Sequence, residues 1–342
     1  MSRPSATVIV PTHDHGPTLE PAVASALAQT VAELEVLVIG DGATEETRLA
    51  ARALAERDSR VRFLDHPKAA SRGETLRHQA LQEARGEIVC YLSDDDLWLP
   101  RHVETMLALL ERADFASSPA LVVNPGRARL VHLVDLALRA YRQMLLGGEN
   151  RVPLSCAAHS LELYRRLPHG WRATPAGKPT DLHMWQQILA EPSVRCASGY
   201  HPTVVNFPSP TRRDWSSAER AAELAEWGRR IGREPDLLPR EVAAGALREA
   251  TRREAELRTL LAERQRSLGE QASALQASQE ELRGTARELE GSNRKLELVR
   301  RELAEREALL GRVASTLTWR LRESVLRLRP VKVAWQWMRG RQ

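Results

Sequence analysis

The chain of 342 residues has little of what marks a secreted or membrane-spanning protein. Its three cysteines, Cys90, Cys156 and Cys196, are widely spaced, which excludes a disulfide framework and a paired metal-ligand motif. The stretch MSRPSATVIVPT lacks the long apolar run that is typical of a signal peptide, and we find no run of ~20 apolar residues that would predict a membrane span. These absences predict a protein of the reducing cytoplasm, either free or peripheral to the inner face of the plasma membrane.

Aromatic residues are also scarce, at 4% of the chain, although 42% of the residues are hydrophobic and suffice for a buried core. The net charge of +5 is unevenly spread. Residues 312–342 hold eight Lys or Arg against one acid, Glu323, so this segment carries +7 and the other 311 residues sum to −2. An anionic partner is therefore expected to meet the C-terminal end.

The first third of the chain alternates between short apolar runs and helical patterns. The runs at 6–10, 35–40, 61–65 and 87–93 are typical of buried strands. Helical patterns lie between them, and Thr44 is placed to cap the second helix. This order predicts an α/β fold with a mostly parallel sheet, which binds its ligands at the carboxyl ends of the strands.

Farther along, the composition divides the chain into further segments. Residues 1–113 form the first lobe, and residues 114–215, rich in Pro, Gly and His, indicate a second lobe with more loops. Residues 216–239 are expected to be a linker. A segment without proline and dominated by Ala, Glu, Leu, Arg and Gln follows.

In that segment Leu recurs at every seventh position from Leu261 to Leu317. Such a heptad favours a long α-helical coiled coil, assigned to residues 240–316, and hence a homo-oligomer. The opposing seam contains polar residues, which lower stability and fix register. A solitary, solvated helix is the alternative.

The last segment, residues 317–342, combines basic and apolar side chains. Arg320 and Arg322 interleave with an apolar helical face, and Trp335 and Trp337 follow. This pattern predicts a basic amphipathic tail that binds an anionic membrane surface. Continuation of the coiled coil is one alternative. Nucleic acid is the other, and we do not expect it as a partner because no nucleic-acid-binding module is present.

The stretch YLSDDDLWLP, residues 91–100, places three adjacent carboxylates, Asp94, Asp95 and Asp96, after a buried strand. Because adjacent carboxylates repel one another, a divalent cation is the expected partner, and oxygen ligands suit Mg²⁺ or Mn²⁺. The alternative is that these acids only cap the next helix.

A second motif, VLVIGDGATEET, has Asp41 between two glycines at the end of a strand. It is a poor match to the dinucleotide-binding motif, because Glu45 stands where the third glycine is required and the motif follows the second strand. A carboxylate at this position can accept hydrogen bonds from a nucleoside. The alternative is an Asx-turn.

Together these segments resemble the family 2 glycosyltransferases of bacterial surface-polysaccharide synthesis, which have the GT-A fold. The resemblance runs in order through the first lobe and reappears at KPTDLHMWQQIL in the second. The matching stretches are TVIVPTHDHGPTLEPAVASALAQT, EVLVIGDGATEET and RHQALQEARGEIVCYLSDDDLWLP.

The resemblance implies a role for each matching residue. Asp181 would be the catalytic base, and Asp95, with Asp96 next to it, would bind the metal. The implied nucleotide-binding residues are Pro11, Thr12, His13, Asp41, Arg77 and Asp94. Apart from the resemblance, His159 and His183 are candidate acceptor-binding residues, and the alternative for each is a purely structural role.

Four residues depart from the family pattern: Gly40, His78, Ser93 and Thr180 replace residues that are usual there. The function implied is an inverting, metal-dependent transfer of one sugar from a nucleotide-diphospho-sugar donor to a glycan or lipid-linked glycan acceptor. The alternative is a catalytically inactive GT-A-like domain on a membrane-tethered coiled-coil scaffold.

Overall fold

The computed structural model describes residues 3–125, 130–132, 134–233 and 237–327. The chain divides into two compact units, Met1–Ala255 and Glu256–Gln342. The strands are β1 Ala6–Thr12, β2 Leu34–Asp41, β3 Val61–His66, β4 Ile88–Tyr91, β5 Leu97–Trp98, β6 Phe115–Ser117, β7 Ala120–Val122, β8 Leu130–His132, β9 Ala157–Ser160, β10 Cys196–Ser198 and β11 Val204–Asn206. The helices are α1 Gly16–Leu27, α2 Glu45–Arg57, α3 Glu74–Gln82, α4 His102–Leu110, α5 Arg139–Leu146, α6 Leu161–Arg166, α7 Thr180–Leu189, α8 Ser217–Arg233 and α9 Leu237–Arg327.

In the described part of the chain, seven strands form the larger sheet, in the order β10-β6-β9-β4-β1-β2-β3. Neighbouring strands are parallel except β9, which is antiparallel to both β4 and β6. Strands β1 and β2 are buried on both faces because they are almost continuously apolar. The mostly parallel α/β sheet predicted from the sequence is confirmed.

Strands from the expected second lobe complete this same sheet. Strands β6, β9 and β10 have only three or four residues each, which is too short for a clear alternating pattern in the sequence. The change of composition near residue 113 therefore reflects shorter strands and longer loops. It does not mark the end of a compact unit, because residues up to Ala255 belong to one.

The expected linker at 216–239 is wrong over most of its length. The structure forms α8 there, with Leu224, Trp227 and Ile231 buried at helical spacing. These side chains pack on a second apolar cluster that includes Leu121 and Val205 from a smaller sheet, ordered β5-β11-β7-β8 among the described strands. Helix α8 is thus an integral part of the first unit.

Helix α9 runs from Leu237 to Arg327 and covers the predicted coiled-coil segment. The leucines of its heptad stripe are about half to two thirds exposed. Pairing with another chain stays a prediction. Among the described residues, no helix has both the length and the apolar character required to cross a membrane.

Candidate active site

Two clefts lie where the parallel strands of the larger sheet end. The first cleft, of about 260 Å³, is lined by Pro11, Thr12, His13, Asp14, His15, Ile39, Asp41, Lys68, Arg72, Gly73, Arg77 and Asp94. The second cleft, of about 390 Å³, is lined by Ser93, Asp95, Asp96, Val122, Asn150, Arg151, Pro153, Leu154, Asp181, Asn206, Phe207, Pro208 and Ser209. The consecutive residues Asp94 and Asp95 line different clefts, so the two clefts meet at these acids.

Asp41 ends β2 in the first cleft, as the sequence predicted. One carboxylate oxygen accepts a hydrogen bond from the backbone N–H of Ala69 at 2.7 Å, and the other accepts one from Lys68 Nζ at 2.5 Å. His13 lies against the same residue, with Nδ1 2.8 Å from the Asp41 carbonyl oxygen. The orientation of the Asp41 carboxylate is therefore fixed by protein contacts.

Two glycines allow the chain to close around Asp41. Gly73 has φ +72°, and a Cβ added there would lie 3.1 Å from an Asp41 carboxylate oxygen. Gly42 has φ +60°, and its added Cβ would lie 2.6 Å from the Cβ of Lys68. Because side chains are disfavoured at these φ values and lack room, glycine is required at both positions.

Arg77 lies on α3 beneath the first cleft and is only 6% exposed. Its guanidinium lies 4.5 Å over the ring of Trp171 and donates a hydrogen bond to the Arg72 carbonyl oxygen. Among the described residues, Arg77 Nε and Thr12 Oγ1 are buried without a hydrogen-bond partner. Since buried polar atoms are normally paired, these two unpaired atoms are unusual, and both belong to residues that line this cleft.

Asp94 and His15 form a pair at the inner end of the first cleft. His15 Nδ1 lies 3.0 Å from a carboxylate oxygen of Asp94. This hydrogen bond raises the pKa of His15 to about 9. The nearby guanidinium of Arg220, whose Nη1 lies 3.3 Å from His15 Nε2, opposes this shift in the pKa of His15.

Asp95 is paired with a residue from α8. Its Oδ2 accepts hydrogen bonds from Arg220 Nη2 at 2.6 Å and from Ser209 Oγ at 2.9 Å. Burial raises the pKa of Asp95, as does the neighbouring charge of Asp94, whereas Arg220 opposes the shift. The cation next to this carboxylate is supplied by the chain itself.

Asp96 points into the protein and serves the fold. Its two oxygens accept hydrogen bonds from Ser155 Oγ, Asn206 Nδ2 and the backbone N–H of Phe207. Burial raises the pKa of Asp96 to about 7, and the charge of Asp95 adds to this effect. Asp96 thereby joins the strand end to the segment that follows β11.

These contacts do not form the Mg²⁺ or Mn²⁺ site expected at Asp95 and Asp96. Both oxygens of Asp96 accept hydrogen bonds from the protein, and Asp95 is paired with Arg220. Across the described ranges, no group of three or more His, Cys, Asp or Glu side chains is arranged to hold a metal ion. In the described chain this arrangement leaves only one oxygen each of Asp94 and Asp95 without a protein partner, so the protein alone does not supply the several oxygen ligands that a divalent cation takes.

Asp181 lies in the first turn of α7 and lines the second cleft. Its Oδ1 accepts hydrogen bonds from Asn150 Nδ2 at 2.9 Å and from the Leu182 backbone N–H at 2.8 Å. These bonds favour the charged carboxylate, yet burial outweighs them and raises the pKa of Asp181. A carboxylate of raised pKa in a cleft is suited to accept a proton.

The two histidines expected to bind an acceptor lie outside both clefts. His159 is fully buried in β9, where its Nε2 lies 2.7 Å from the Tyr91 hydroxyl. Burial lowers the pKa of His159 to about 4, so it is a neutral core residue and the expectation for it is wrong. His183 lies on α7 but is not among the residues that line either cleft.

Two departures from the family pattern have local structural causes. A Cβ added at Gly40 would lie 3.0 Å from the ring of Phe63, so an acid there would require this ring to move. His78 Nδ1 lies 2.8 Å from the Tyr164 hydroxyl, on the side of α3 that packs on the protein. Neither substitution removes a side chain that lines the clefts.

Several residues of the site were not found from the sequence. They are His15, Lys68, Asn150, Ser209 and Arg220. His15 lies in the PTHDH stretch that the resemblance covers, so the sequence could have indicated it as a residue of the site. The others lie in loops or, for Arg220, in the segment that was taken for a linker.

Part of the chain is similar in sequence to a known family. Residues 7–166 match the family described as Glycosyl transferase family 2. This segment contains the first cleft and the three adjacent acids. This segment is therefore similar to the family 2 glycosyltransferases. The α/β fold followed by a long helix that the sequence predicted is confirmed.

Two curated relatives share part of this segment. The UDP-Glc:alpha-D-GlcNAc-diphosphoundecaprenol beta-1,3-glucosyltransferase WfgD of Escherichia coli is 29% identical over 104 residues, which are 30% of this chain and 40% of that protein. The GalNAc(5)-diNAcBac-PP-undecaprenol beta-1,3-glucosyltransferase of Campylobacter jejuni is 29% identical over 104 residues, 30% of this chain and 34% of that protein. The chain thus matches less than half of the length of either relative.

Similar structures have also been solved. Residues 1–349 of S. aureus TarS in complex with UDP-GlcNAc superpose with a TM-score of 0.48 at 16% identity, covering 60% of this chain and 58% of that one. The mannosyltransferase PcManGT from Pyrobaculum calidifontis, in complex with GDP-Man and Mn²⁺, has a TM-score of 0.44 at 21% identity, covering 77% of this chain and 81% of that one.

Proposed function

We propose that this chain is an inverting glycosyltransferase that moves one sugar from a nucleoside-diphosphate donor to a lipid-linked glycan. The observation that carries the proposal is the meeting of two clefts at Asp94 and Asp95, with Asp181 in the second. The names of the E. coli and C. jejuni relatives, both glucosyltransferases with undecaprenol-linked substrates, support this acceptor class.

The first cleft is proposed to hold the nucleoside. Asp41 offers carboxylate oxygens already oriented by Lys68 and Ala69. The unpaired polar atoms of Thr12 and Arg77 would gain partners from the base or the ribose. Pro11 and His13 complete the wall of this cleft, and Asp94 lies where the ribose would end.

The second cleft is proposed to hold the transferred sugar and the acceptor hydroxyl. Asp181 accepts the proton of that hydroxyl while its oxygen forms a bond to the anomeric carbon. The bond between this carbon and the donor phosphate oxygen breaks, and its electron pair leaves with the nucleoside diphosphate. Attack from the face opposite the leaving group inverts the anomeric configuration.

The resemblance implies Mg²⁺ or Mn²⁺ as cofactor, but no step of this reaction is assigned to a metal. The reason is the pairing of Asp95 with Arg220 and the inward position of Asp96. Negative charge that develops on the leaving diphosphate requires a cation nearby. In the proposed mechanism, basic side chains of the protein supply this charge.

The test is the replacement Asp181→Asn in the full chain, assayed for transfer from a panel of nucleotide-sugars to undecaprenol-diphosphate-linked glycans. We expect nucleotide binding to persist and transfer to fall by about 10²-fold or more, the usual effect of removing a general base. Glu191→Gln, just beyond the end of α7, is the matched control and should retain full transfer.

Three results would contradict the proposal. Transfer at the normal rate by the Asp181 variant would assign the base elsewhere. A product that keeps the donor's anomeric configuration would reject single displacement. Absence of transfer from every donor would favour the inactive scaffold that the sequence left as the alternative.

The C-terminal part is proposed to place the enzyme at its substrate. The heptad stripe of α9 would pair with a second copy of the chain, and the basic tail would bind anionic lipid at the inner face of the plasma membrane. The tail was predicted at 317–342, and residues 328–342 lie outside the described residues.

A further inference from the structure

Arg220 does not line either cleft itself but contacts residues of both. It contacts His15, which lines the first cleft, and Asp95 and Ser209, which line the second. In a nucleotide-sugar, the diphosphate connects the nucleoside to the sugar. A donor with its nucleoside in the first cleft and its sugar in the second would therefore pass its diphosphate next to Arg220.

The contacts of Arg220 leave donors for such a ligand. Both hydrogen bonds to Asp95 and Ser209 come from Nη2, at 2.6 and 3.0 Å, and Nη1 lies 3.3 Å from His15 Nε2. A guanidinium has five N–H donors in a fixed planar arrangement that suits phosphate oxygens. In the described part of the chain, Arg220 Nε has no hydrogen-bond partner and remains available to a phosphate oxygen.

Helix α8 holds Arg220 firmly in this position. On the same helix, Leu224 and Trp227 are buried in the second apolar cluster. Glu223 forms a bidentate ion pair with Arg212, at 2.5 and 2.7 Å, and the Arg212 side chain is fully buried. The Arg220 side chain itself is only 13% exposed, so it is positioned before any ligand arrives.

The charges of the acidic cluster are balanced without a metal ion. His15 is paired with Asp94, and Arg220 with Asp95. Asp96 is satisfied by hydrogen bonds within the protein. The repulsion that three adjacent acids would exert on a diphosphate is thus removed by side chains of this chain.

We propose that Arg220 takes the place of a divalent cation at Asp95 and binds the donor diphosphate, so that nucleoside diphosphates bind this protein without metal. The inference rests on the proposed function, since it requires a nucleoside-diphosphate ligand. A metal bound through Asp95 Oδ2 would have to displace Arg220 and leave a largely buried guanidinium without its partner, which is strongly unfavourable.

The experiment measures binding of UDP, dTDP and GDP to the full chain by isothermal titration calorimetry, once with excess EDTA and once with excess MnCl₂. We expect at least one of these nucleotides to bind, with a Kd that differs by less than about threefold between the two conditions. A threefold difference in Kd lies well below the tenfold difference that we take as the mark of metal-dependent binding.

Arg220→Met keeps the length and apolar stem of the side chain and removes its charge. In EDTA we expect this variant to bind the nucleotide about tenfold more weakly or worse, because charge-assisted hydrogen bonds to phosphate are lost. Arg220→Lys should recover part of the affinity. Arg229→Met is the matched control on the same helix, since Arg229 pairs with Glu226 at the surface, and it should bind normally.

Each other outcome has a distinct meaning. Binding by the unaltered chain that appears only with Mn²⁺, or improves tenfold or more with it, would overturn the inference and leave the proposed function intact. Tighter binding by Arg220→Met would also overturn it and identify Arg220 as an obstacle to the ligand. If none of the three nucleotides binds in either condition, the proposed function fails and this inference fails with it.

Discussion

The α/β part of the chain and the long helix α9 differ in how far their apolar residues are buried. Strand residues such as Val8, Leu37 and Val89 are fully buried. Along α9, the heptad leucines from Leu261 to Leu317 are at least 49% exposed. The first region closes its core with its own residues, whereas the apolar stripe of α9 has no counterpart in the described chain. The difference predicts that the two regions respond differently to the same kind of mutation.

The largest expected effect comes from the core of the α/β region. Trp185 is fully buried, packs against Tyr91, Phe115 and Trp171, and donates a hydrogen bond to the Val152 carbonyl oxygen. Trp185→Ala should lower the free energy of unfolding by about 3–5 kcal/mol, because it removes these contacts and leaves a cavity. Urea unfolding of the full chain measures this.

Truncation of an apolar side chain in α9 should weaken the association between chains and leave the folding of the sheet unchanged. Leu289→Ala is expected to weaken self-association about a hundredfold, since each heptad leucine packs against the partner helix in a coiled coil. Sedimentation equilibrium measures the change, and Glu288→Ala serves as the control off the stripe. If the unaltered chain is monomeric at roughly tens of micromolar, the coiled-coil prediction is wrong.

The third expected effect is a loss of folding stability at low pH. It should be confined to the α/β region, because the buried histidines lie there. His102 is fully buried, stacks on Trp98, and its pKa is lowered to about 3 by burial. Its stabilising contribution is complete above pH ~6.5, the value for an exposed histidine, and falls as pH drops toward 3 because only the unfolded chain takes up the proton. At pH 5 the loss is about 2 kcal/mol.

The check is His102→Phe, which keeps the ring on Trp98 and cannot be protonated. Its free energy of unfolding should fall less between pH 7.5 and pH 5 than that of the unaltered chain. The variant also loses the hydrogen bond to Thr203, which lowers its free energy of unfolding at both pH values and does not affect this comparison. His201→Phe, at an exposed position, should leave the pH dependence unchanged. Equal pH dependence in the His102 variant would assign the acid sensitivity to other groups.

The smallest expected effect lies at the C-terminal end of α9. Arg320→Gln should lower partition onto anionic vesicles about fivefold, because one basic residue near such a surface contributes about 1 kcal/mol. Glu323→Gln should raise it by a similar factor, since it removes the single acid of this segment. Flotation with neutral vesicles is the control. Equal flotation of both variants would show that the tail does not bind by charge.

The features predicted correctly from the sequence are local ones. The apolar runs of β1 and β2 are long and uninterrupted, so their strands were readable without tertiary information. Thr44 caps α2 as predicted, accepting a hydrogen bond from the backbone N–H of Thr47. Asp41 and Asp181 reach the clefts because each stands at the end of a strand or the start of a helix, where side chains face ligands.

The wrong predictions concern residues whose surroundings come from distant parts of the chain. His159 resembled a site residue in sequence, but β9 lies between β4 and β6 and buries it. The segment taken for a linker has a helical apolar pattern, yet its burial depends on a second sheet formed by short strands. No local sequence pattern predicts that sheet, because its strands are too short.

The sequence by itself determined the α/β class, the glycosyltransferase family 2 motifs and the long heptad helix, because each depends on short-range spacing of residue types. Only the tertiary structure decided which charges meet. Asp95 and Arg220 are 125 positions apart, and they pair because α8 packs against α1 and the smaller sheet. An electrostatic contact depends on distance in space, so the cation partner of Asp95 had to be read from the fold.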